Sequence, residues 1–426
     1  MLPFHNDPTL GRAEIERGLR EVPAYVAWRT LDPGPTAGVD ARYAALPATT
    51  KELMLSHAPR GFVPATADVD GALAHGETEL VRTSGTTGPP VTLVWSQAWW
   101  DASERASWQL NADVAAVATG WHREAVLASP RCVGPEESDR ARTARERTLG
   151  RLLFLNEHAD VARWSDETVR RMLGELRDYA PAILEAEPVY AAALCARASA
   201  LGAKLPRPRA VVLTYAMPSR LERRRIRRTL GAAVVSSYGS TETGYVLVEC
   251  ERGRMHHVAG SCRLDFVPLR RTPNLGRLLV TPFGHPWACF LKFDIGDLAR
   301  RALGPCPCGR PGGAIERIEG RVEEATISSH GRIVTAAELD DAIAATPSSE
   351  HLISYQLEQT AEGLHLRMTV AGEVDRDRVT ASLRVLYGRE ARIATELVDA
   401  LDPEPSGKYV HVRQRLELDR TAWFAD

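Results

Sequence analysis

The chain has 426 residues, of which 44% are hydrophobic and 25% charged, with 53 basic and 55 acidic side chains and a formal net charge of −2. That length exceeds what one hydrophobic core supports, so we expect at least two domains. The balanced charge excludes a global electrostatic field for nucleic acid or for an anionic membrane. No apolar run reaches the roughly 18 residues of a spanning helix, and no secretion signal is visible, so we expect a cytoplasmic protein without a membrane partner.

The first anion-binding pattern follows a short predicted strand, Glu79–Val81. The loop consists of Arg82, Thr83, Ser84, Gly85, Thr86, Thr87 and Gly88. Its glycines let backbone N–H groups turn toward phosphate, and its hydroxyls add further donors. Pro89 and Pro90 exclude a Walker loop, which has Gly-Lys-Ser/Thr at this point. The loop therefore predicts a nucleotide site, with an ordinary turn as the alternative.

Short apolar runs alternate with helix-compatible segments from residue 107 to about 214. They lie at 125–128, 152–155 and 210–214. Parallel strands buried on both faces have this pattern, which predicts layered α/β structure. Ser219–Glu222 has the pattern of a capping box and opens an arginine-rich helix, for which we predict a solvated basic face. That helix is the sole support for a nucleic-acid-binding alternative.

A further buried strand is predicted over 232–237. Polar residues follow it directly: Tyr238, Gly239, Ser240, Thr241 and Glu242. Ligands of open α/β sheets bind at this end of such strands. Phe293–Asp297 then predicts a turn that carries a carboxylate, and Ile318–Arg321 places an arginine before the last hundred residues.

The remaining residues, from about Val322, predict a small α+β domain. Alternating apolar positions on both sides of Thr360–Gly363 predict a hairpin with one face exposed to water. A helix is predicted over 375–387. Pro405–Lys408 then places a lysine on a flexible loop, where a solvated side chain is the usual outcome.

Five of these segments, taken in their order along the chain, resemble the motifs of the adenylate-forming acyl-CoA ligase superfamily, most closely the phenylacetate-CoA ligase branch. They are the loop at 82–88, Tyr238–Glu242, Phe293–Asp297, Ile318–Arg321 and Pro405–Lys408. The resemblance implies a large multi-layer α/β domain with mostly parallel sheets over 1–320 and a small mobile α+β domain over 321–426. It implies that ATP activates a carboxylic acid to an acyl-adenylate with release of pyrophosphate. The acyl group then passes to a thiol such as CoA; transfer to a carrier protein or an amine is an alternative.

The resemblance also implies a role for each matched residue. The implied catalytic residues are Thr241, Glu242 and Lys408. The implied nucleotide-binding residues are Thr83, Ser84, Gly85, Thr86, Thr87, Gly88, Tyr238, Gly239, Ser240, Asp297 and Arg321. A carboxylate such as Glu242 suits Mg²⁺, and the Lys408 ammonium would offset charge on the reacting oxygens. Pro89 replaces the family's lysine, which leaves a non-catalytic binding homologue as an alternative.

Seven cysteines, an odd number, argue against a disulfide framework. Cys306 and Cys308, with Cys250 and His256 upstream, supply four ligands that suit a structural Zn²⁺ site. Relatives in the phenylacetate-CoA ligase branch have a similar pattern. His257 could replace His256, and free buried thiols are the alternative to zinc.

The substrate implied by the branch is an aromatic acid. Four large aromatic residues are candidates for its pocket or for the core: Trp99, Trp100, Trp108 and Tyr215. The sequence leaves the acid, the acceptor and the oligomeric state open, a dimer included.

Overall fold

The structure, a computed structural model, describes residues 2–5, 7–83, 89–135, 137 and 140–425. The chain packs as two compact units. The first comprises Met1–Ala115, Ser237–Ile318 and Asp419–Asp426, and the second comprises Ala116–Ser236 and Glu319–Leu418. These units differ in their bounds from the predicted domains, 1–320 and 321–426, and the functional division at residue 320 stays a prediction.

Helices and strands alternate through much of the described chain. The helices are α1 Arg12–Glu21, α2 Val39–Ala45, α3 Lys51–His57, α4 Val69–Ala74, α5 Gln97–Trp108, α6 Ala112–Ala115, α7 Asp166–Tyr179, α8 Pro188–Ala200, α9 Arg220–Leu230, α10 Ala336–Ala344 and α11 Arg376–Tyr387. The strands are β1 Leu2–Pro3, β2 Glu79–Arg82, β3 Thr92–Trp95, β4 Glu124–Leu127, β5 Thr148–Leu149, β6 Leu152–Phe154, β7 Ile183–Ala186, β8 Ala210–Leu213, β9 Ala233–Ser240, β10 Gly244–Glu249, β11 Met255–His257, β12 Cys262–Leu269, β13 Thr272–Pro282, β14 Phe293–Arg301, β15 Ala314–Arg321, β16 Thr326–Ile327, β17 Ile333–Val334, β18 Leu352–Thr360, β19 Gly363–Val370, β20 Ile393–Leu397 and β21 Val412–Gln414. The predicted α/β fold class is confirmed.

The second unit contains the predicted parallel strands. Strands β6, β4, β7, β8 and the first half of β9 pair in that order and run parallel. Every residue of β4, β7 and β8 is buried, so these strands are covered on both faces. Helices α7, α8 and α9 contribute apolar side chains to the same core cluster. The apolar runs therefore became buried parallel strands, as predicted.

The paired strands described in the first unit are antiparallel, unlike the mostly parallel arrangement that was predicted. Strand β12 pairs with β1 and β13, β13 with β14, and β10 with both β11 and the second half of β9. Two of the connections are very short: residues 241–243 join β9 to β10, and residues 270–271 join β12 to β13. Such short connections can join only antiparallel neighbours, because parallel pairs need a long crossover.

The predicted C-terminal hairpin is present as β18 and β19, with Thr360 paired to Gly363. Its expected wet face is wrong for β18, where Gln356 is 1% exposed. Strand β21 pairs with the edge of β18, and helix α9 packs on this face, where the Ser354 hydroxyl, on the same side as Gln356, lies 3.5 Å from Glu222. The Gln356 amide donates to the carbonyl of Val410 at 2.9 Å, which satisfies the buried polar group.

Helix α9 begins with the predicted capping box, in which Ser219 and Glu222 exchange both hydrogen bonds. Its apolar face is buried, as expected. Arg225 is half-buried rather than fully solvated, and its guanidinium donates to the carbonyl of Leu352 at 3.0 Å. No helix among the described residues is both long and apolar enough to cross a membrane.

Candidate active site and metal centre

The hairpin of β2 and β3 brackets the predicted phosphate loop. Thr83 closes the hairpin: its N–H donates to the carbonyl of Val91, and its Oγ1 accepts the N–H of Val91, both at 2.9 Å. The remaining predicted loop residues, Ser84, Gly85, Thr86, Thr87 and Gly88, lie outside the described residues. Thr83 therefore has a clear local role at the base of the loop, and its phosphate role stays a prediction.

Tyr238, Gly239 and Ser240 form the end of strand β9, which extends three residues beyond its predicted end. The extension arises because β10 pairs with them across a tight turn. A Cβ on Gly239 would lie 2.0 Å from the carbonyl oxygen of Gly244, so only glycine allows this approach. Thr241 and Glu242 occupy the turn.

Asp297 lies within β14, whereas the sequence predicted a turn there. Pairing with β13 keeps the segment extended, with a register irregularity between Arg277 and Leu279. Asp297 is buried and accepts a hydrogen bond from the Tyr238 hydroxyl at 2.9 Å. Two motifs that are 59 positions apart thus meet in the first unit.

The lysine loop is docked on residues of the second unit. The Ser129 hydroxyl and the Cys132 thiol both donate to the carbonyl of Ser406, at 2.8 and 3.2 Å. The buried Tyr190 hydroxyl donates to the carbonyl of Gly407 at 2.7 Å. The loop that carries the lysine is therefore ordered by specific contacts.

Lys408 itself is half-buried, and its Nζ donates to the carbonyl of Tyr215 at 3.0 Å. Tyr215, two residues after the end of β8, has a positive φ of 69°, which turns its backbone out of the sheet direction. The Lys408 ammonium consequently lies near the carboxyl ends of the parallel strands, where α/β sheets bind ligands. Arg321, at the end of β15, also belongs to the second unit and is half-buried.

Ser129, Tyr190 and Glu187 were not identified from the sequence. Ser129 follows a predicted strand, whereas Glu187 and Tyr190 follow β7, which the sequence analysis did not predict. The one available signal was Glu187 itself, a carboxylate immediately before Pro188 in a mostly apolar stretch that also contains Glu185. Their significance became visible only when the lysine loop was seen to lie beside them.

The four predicted zinc ligands come together in the first unit. The ligand atoms of Cys250, His256, Cys306 and Cys308 all lie within 4.8 Å of one another. The Cys250 and Cys306 sulfurs are 3.6 Å apart, and the Cys308 sulfur is 3.3 Å from Nε2 of His256. With bonds of about 2.3 and 2.0 Å, a tetrahedral Zn²⁺ separates two sulfurs by about 3.8 Å and sulfur from nitrogen by about 3.5 Å. The observed distances fit that ion.

The surroundings of the cluster also fit a metal. The N–H of Arg252 donates to the Cys250 sulfur at 3.4 Å, and the N–H of Arg310 donates to the Cys308 sulfur at 3.5 Å. Such bonds stabilise thiolate ligands and orient them. The Arg310 guanidinium also pairs with Glu251 through two bonds of 2.7 and 2.8 Å, which ties the two ligand loops together.

The choice between the two histidines is decided by strand β11, along which side chains alternate in direction. His256 points at the sulfurs, whereas Nε2 of His257 lies 2.8 Å from the carbonyl of Cys262. His257 is therefore engaged elsewhere. One segment provides Cys250 and His256, and another provides Cys306 and Cys308. Four protein ligands leave no open coordination position, as expected for a structural site.

The tryptophans of the predicted aryl pocket make packing contacts within the first unit. Trp99 donates from Nε1 to the carbonyl of Phe283 at 2.7 Å, and its ring centre lies 4.5 Å from that of His285. Trp100 packs against Trp95 and Tyr245. Trp108 is buried. Trp99 and Trp100 are half-buried, and a substrate pocket at these positions stays a prediction.

No protein-family model matches the sequence, and no curated protein matches it. Solved structures do match. The 2-hydroxyisobutyryl-CoA ligase in its postadenylation state, in complex with R3-HIB-AMP, has a TM-score of 0.70 at 16% identity, covering 97% of this chain and 89% of the ligase. The chain has the fold of the adenylate-forming ligases.

Two further enzymes share this adenylate-forming fold. The anthranilate CoA ligase AuaEII in complex with anthranoyl-AMP has a TM-score of 0.52 at 12% identity, covering 78% of this chain and 65% of the ligase. The amide bond synthetase McbA from Marinactinospora thermotolerans has a TM-score of 0.51 at 13% identity, covering 77% and 66%. The fold that the predicted superfamily implies is confirmed, whereas membership of that superfamily and of its phenylacetate-CoA ligase branch stays a prediction.

Proposed function

We propose that the protein activates a carboxylic acid with ATP to an acyl-adenylate, releases pyrophosphate and transfers the acyl group to a thiol, CoA being the favoured acceptor. The observation that carries this proposal is the 2.9 Å contact between Tyr238 and Asp297. The motif resemblance assigns these two residues to the adenine and the ribose of one nucleotide, and they are adjacent within an adenylate-forming fold. The expected acid is aromatic, after the branch that the motifs resemble.

Lys408 is the proposed electrostatic catalyst of the first half-reaction. Lysine occurs at only four positions, Lys51, Lys204, Lys292 and Lys408, although the chain has 53 basic residues. A compact ammonium differs from a planar guanidinium in how it places its charge, so arginine is not an equivalent choice at this position. An ammonium beside the reacting oxygens stabilises charge that grows in the transition state.

Glu242 is the proposed ligand of Mg²⁺, and Thr241 and Ser240 are proposed to contact phosphate. When bound, Mg²⁺ would neutralise phosphate charge. Glu242 is buried at the β9–β10 turn, so the preceding strand and turn orient its carboxylate. Arg321 is proposed to contact the ribose and phosphate.

The test is pyrophosphate exchange into ATP, measured with a panel of aryl and alkyl acids. We expect exchange that depends on the acid in the wild type, and a loss of at least about 100-fold in Lys408→Ala, because one preorganised charge is removed from the transition state. Lys204→Ala is the matched control, since Lys204 is exposed and lies in the same unit.

Absence of exchange with every acid would contradict the proposal and favour the non-catalytic alternative that Pro89 raises. If exchange occurs, adding CoA, a carrier protein or an amine in turn identifies the acceptor. McbA, an amide bond synthetase, shares the fold, so transfer to an amine is the second candidate. If Lys408→Ala and Lys204→Ala have the same rate of acid-dependent exchange, Lys408 has no specific role in the adenylation step.

We further propose that the cluster of Cys250, His256, Cys306 and Cys308 binds a structural Zn²⁺. Metal analysis of the purified protein should give about one zinc per chain, and Cys306→Ser should lose most of it, since three ligands bind far more weakly than four. Cys289→Ser is the control, because Cys289 is a buried thiol of the same unit outside the cluster. Equal zinc content in the two variants would refute the site.

A further inference from the structure

Glu187 is a buried carboxylate to which the proposed mechanism gives no role. It follows β7 and precedes α8, and it is 0% exposed. Neither of its carboxylate oxygens has a hydrogen-bond partner within the described part of the chain. A buried acceptor left unpaired costs about 1–3 kcal/mol, more when it is charged, so its presence requires an explanation.

The position of Glu187 is that of a ligand-binding residue. Leu127, Ala186 and Leu213 are aligned across the parallel strands β4, β7 and β8. Glu187 therefore lies at the carboxyl edge of this sheet, between the chain segments that continue to Ser129 and Tyr215. Open α/β sheets bind their ligands at this edge.

The Lys408 ammonium lies at the same edge of the sheet but forms no hydrogen bond with the Glu187 carboxylate. Its Nζ donates to the carbonyl of Tyr215 at 3.0 Å. Burial raises the pKa of Glu187 to about 7, and the Lys408 ammonium and the N–H groups of Tyr409 and Ser129 oppose that increase. Lys408 acts through its charge and the two N–H groups are directed at the carboxylate, yet within the described part of the chain no protein donor reaches full hydrogen-bond geometry with either oxygen.

The other polar side chains around Glu187 are already committed. The Tyr190 hydroxyl lies within hydrogen-bond distance of the carbonyls of Ala159 and Gly407. The Cys132 thiol donates to the carbonyl of Ser406. The Glu187 carboxylate is thus near the proposed catalytic lysine, and the neighbouring Tyr190 and Cys132 side chains donate to backbone carbonyls instead of to it.

We propose that Glu187 accepts a hydrogen bond from an amino or hydroxyl group carried by the acid substrate close to its carboxylate. The inference rests on the proposed function, because Lys408 locates the reacting carboxylate. A substrate N–H or O–H would satisfy Glu187, whereas a methyl group in its place would leave the acceptor buried and unpaired. Sites built around such a bond reject the analogue that lacks the donor by up to roughly 10⁴-fold.

The test compares acids in isosteric pairs: the three aminobenzoates against the corresponding methylbenzoates, and 2-hydroxyisobutyrate against trimethylacetate. Acid-dependent exchange gives kcat/KM, and calorimetry gives equilibrium binding. In the wild type we expect at least one donor-bearing acid to exceed its methyl analogue at least tenfold. Glu187→Leu should abolish or reverse that ratio, and the isosteric Glu187→Gln, which keeps one acceptor oxygen, should reduce it.

Asp340→Asn is the matched control. Asp340 is also a buried carboxylate with a raised pKa, caused by burial, but it accepts hydrogen bonds from the Arg220 N–H and the Tyr355 hydroxyl. This variant should leave the ratio between paired acids unchanged. A ratio that is the same in wild type and both Glu187 variants, in exchange and in binding, would overturn the inference.

Two other results separate the possible failures. If Glu187→Leu and Glu187→Gln slow every acid by the same factor, Glu187 acts only on Lys408, and the substrate role is refuted. If no acid supports exchange, the proposed function fails. The calorimetric binding ratios then test the Glu187 inference separately: a preference for donor-bearing acids that is lost in Glu187→Leu would still support a substrate contact at Glu187.

Discussion

Gly407 precedes Lys408 and decides how closely the loop approaches its support. It has a φ of +80°, and a Cβ at this position would lie 2.2 Å from Oγ of Ser129 and 2.6 Å from Cβ of Ala159. Both the backbone conformation and the available space therefore require glycine. The placement of Lys408 depends on this residue as well as on the lysine itself.

Gly407→Ala should displace the loop and lower acid-dependent exchange at least tenfold, with a loss of more than about 1 kcal/mol in the free energy of unfolding. Gly331→Ala separates backbone strain from crowding, because Gly331 has a similar φ of +73° but nothing within 4 Å of an added Cβ. Exchange rates and urea unfolding curves of both variants provide the comparison. Equal exchange rates would show that close contact with Ser129 is not needed.

Strand β21 and helix α9 are joined by a buried ion pair. Nε2 of His411 lies 3.0 Å from Oε1 of Glu222, and the His411 ring centre is 5.0 Å from that of Tyr355. Burial opposes the imidazolium, but Glu222 and Asp340 outweigh it and raise the pKa of His411 to about 9. Burial also acts to raise the pKa of Glu222, yet His411 keeps that pKa below its usual value.

Stability should therefore depend on pH through this pair. The folded pKa of His411 lies above its unfolded value of about 6.5, so its contribution is complete below that pH and is lost as the pH rises through about 9. The lost free energy is roughly 3 kcal/mol at most. Between pH 7 and 9.5, the urea midpoint of the wild type should fall more steeply than that of His411→Gln.

His365→Gln is the control for that measurement. His365 pairs with Glu396 at 3.2 Å on the surface of the same unit, where both side chains are about half exposed. Water screens this pair, so the variant should keep the wild-type pH dependence. If His411→Gln also keeps it, the buried pair is not ionised as described.

The proposed zinc site lies within the first of the two compact units, each of which has its own hydrophobic clusters. The first unit contains the clusters around Phe62 and around Phe266, and the second contains those around Tyr190 and around Tyr355. A metal that binds only where the folded chain holds its ligands stabilises that part of the fold. Removal of the proposed Zn²⁺ should therefore destabilise the segments around the four ligands first.

When the full-length protein is treated with a chelator, hydrogen-exchange protection should therefore fall around residues 250–257 and 302–314. The parallel strands β4, β7 and β8 should stay protected. The apparent melting temperature should fall by several degrees, since about 1 kcal/mol shifts a large domain by roughly 2–4 °C. Mass spectrometry of exchanged peptides locates the change. Uniform loss of protection, or none, would contradict this assignment.

Much of the fold and the motif residues could be predicted because the signals are local. Buried parallel strands are apolar on both faces, and a capping box needs only Ser219 and Glu222 at the correct spacing. The antiparallel strands of the first unit were missed, since pairing direction depends on connections between segments. The exposed face predicted for β18 was wrong for a similar reason: nothing within that strand reveals that helix α9 packs on it.

Residue types and their spacing along the chain were enough to predict the α/β fold class, the adenylate-forming fold and the four cysteine and histidine positions that meet as a cluster. Three properties came from the folded chain instead: His256 rather than His257 faces the sulfurs, Tyr238 contacts Asp297, and Glu187 is buried near Lys408. Burial and contact between distant segments create those properties. They are therefore absent from any local pattern of residues.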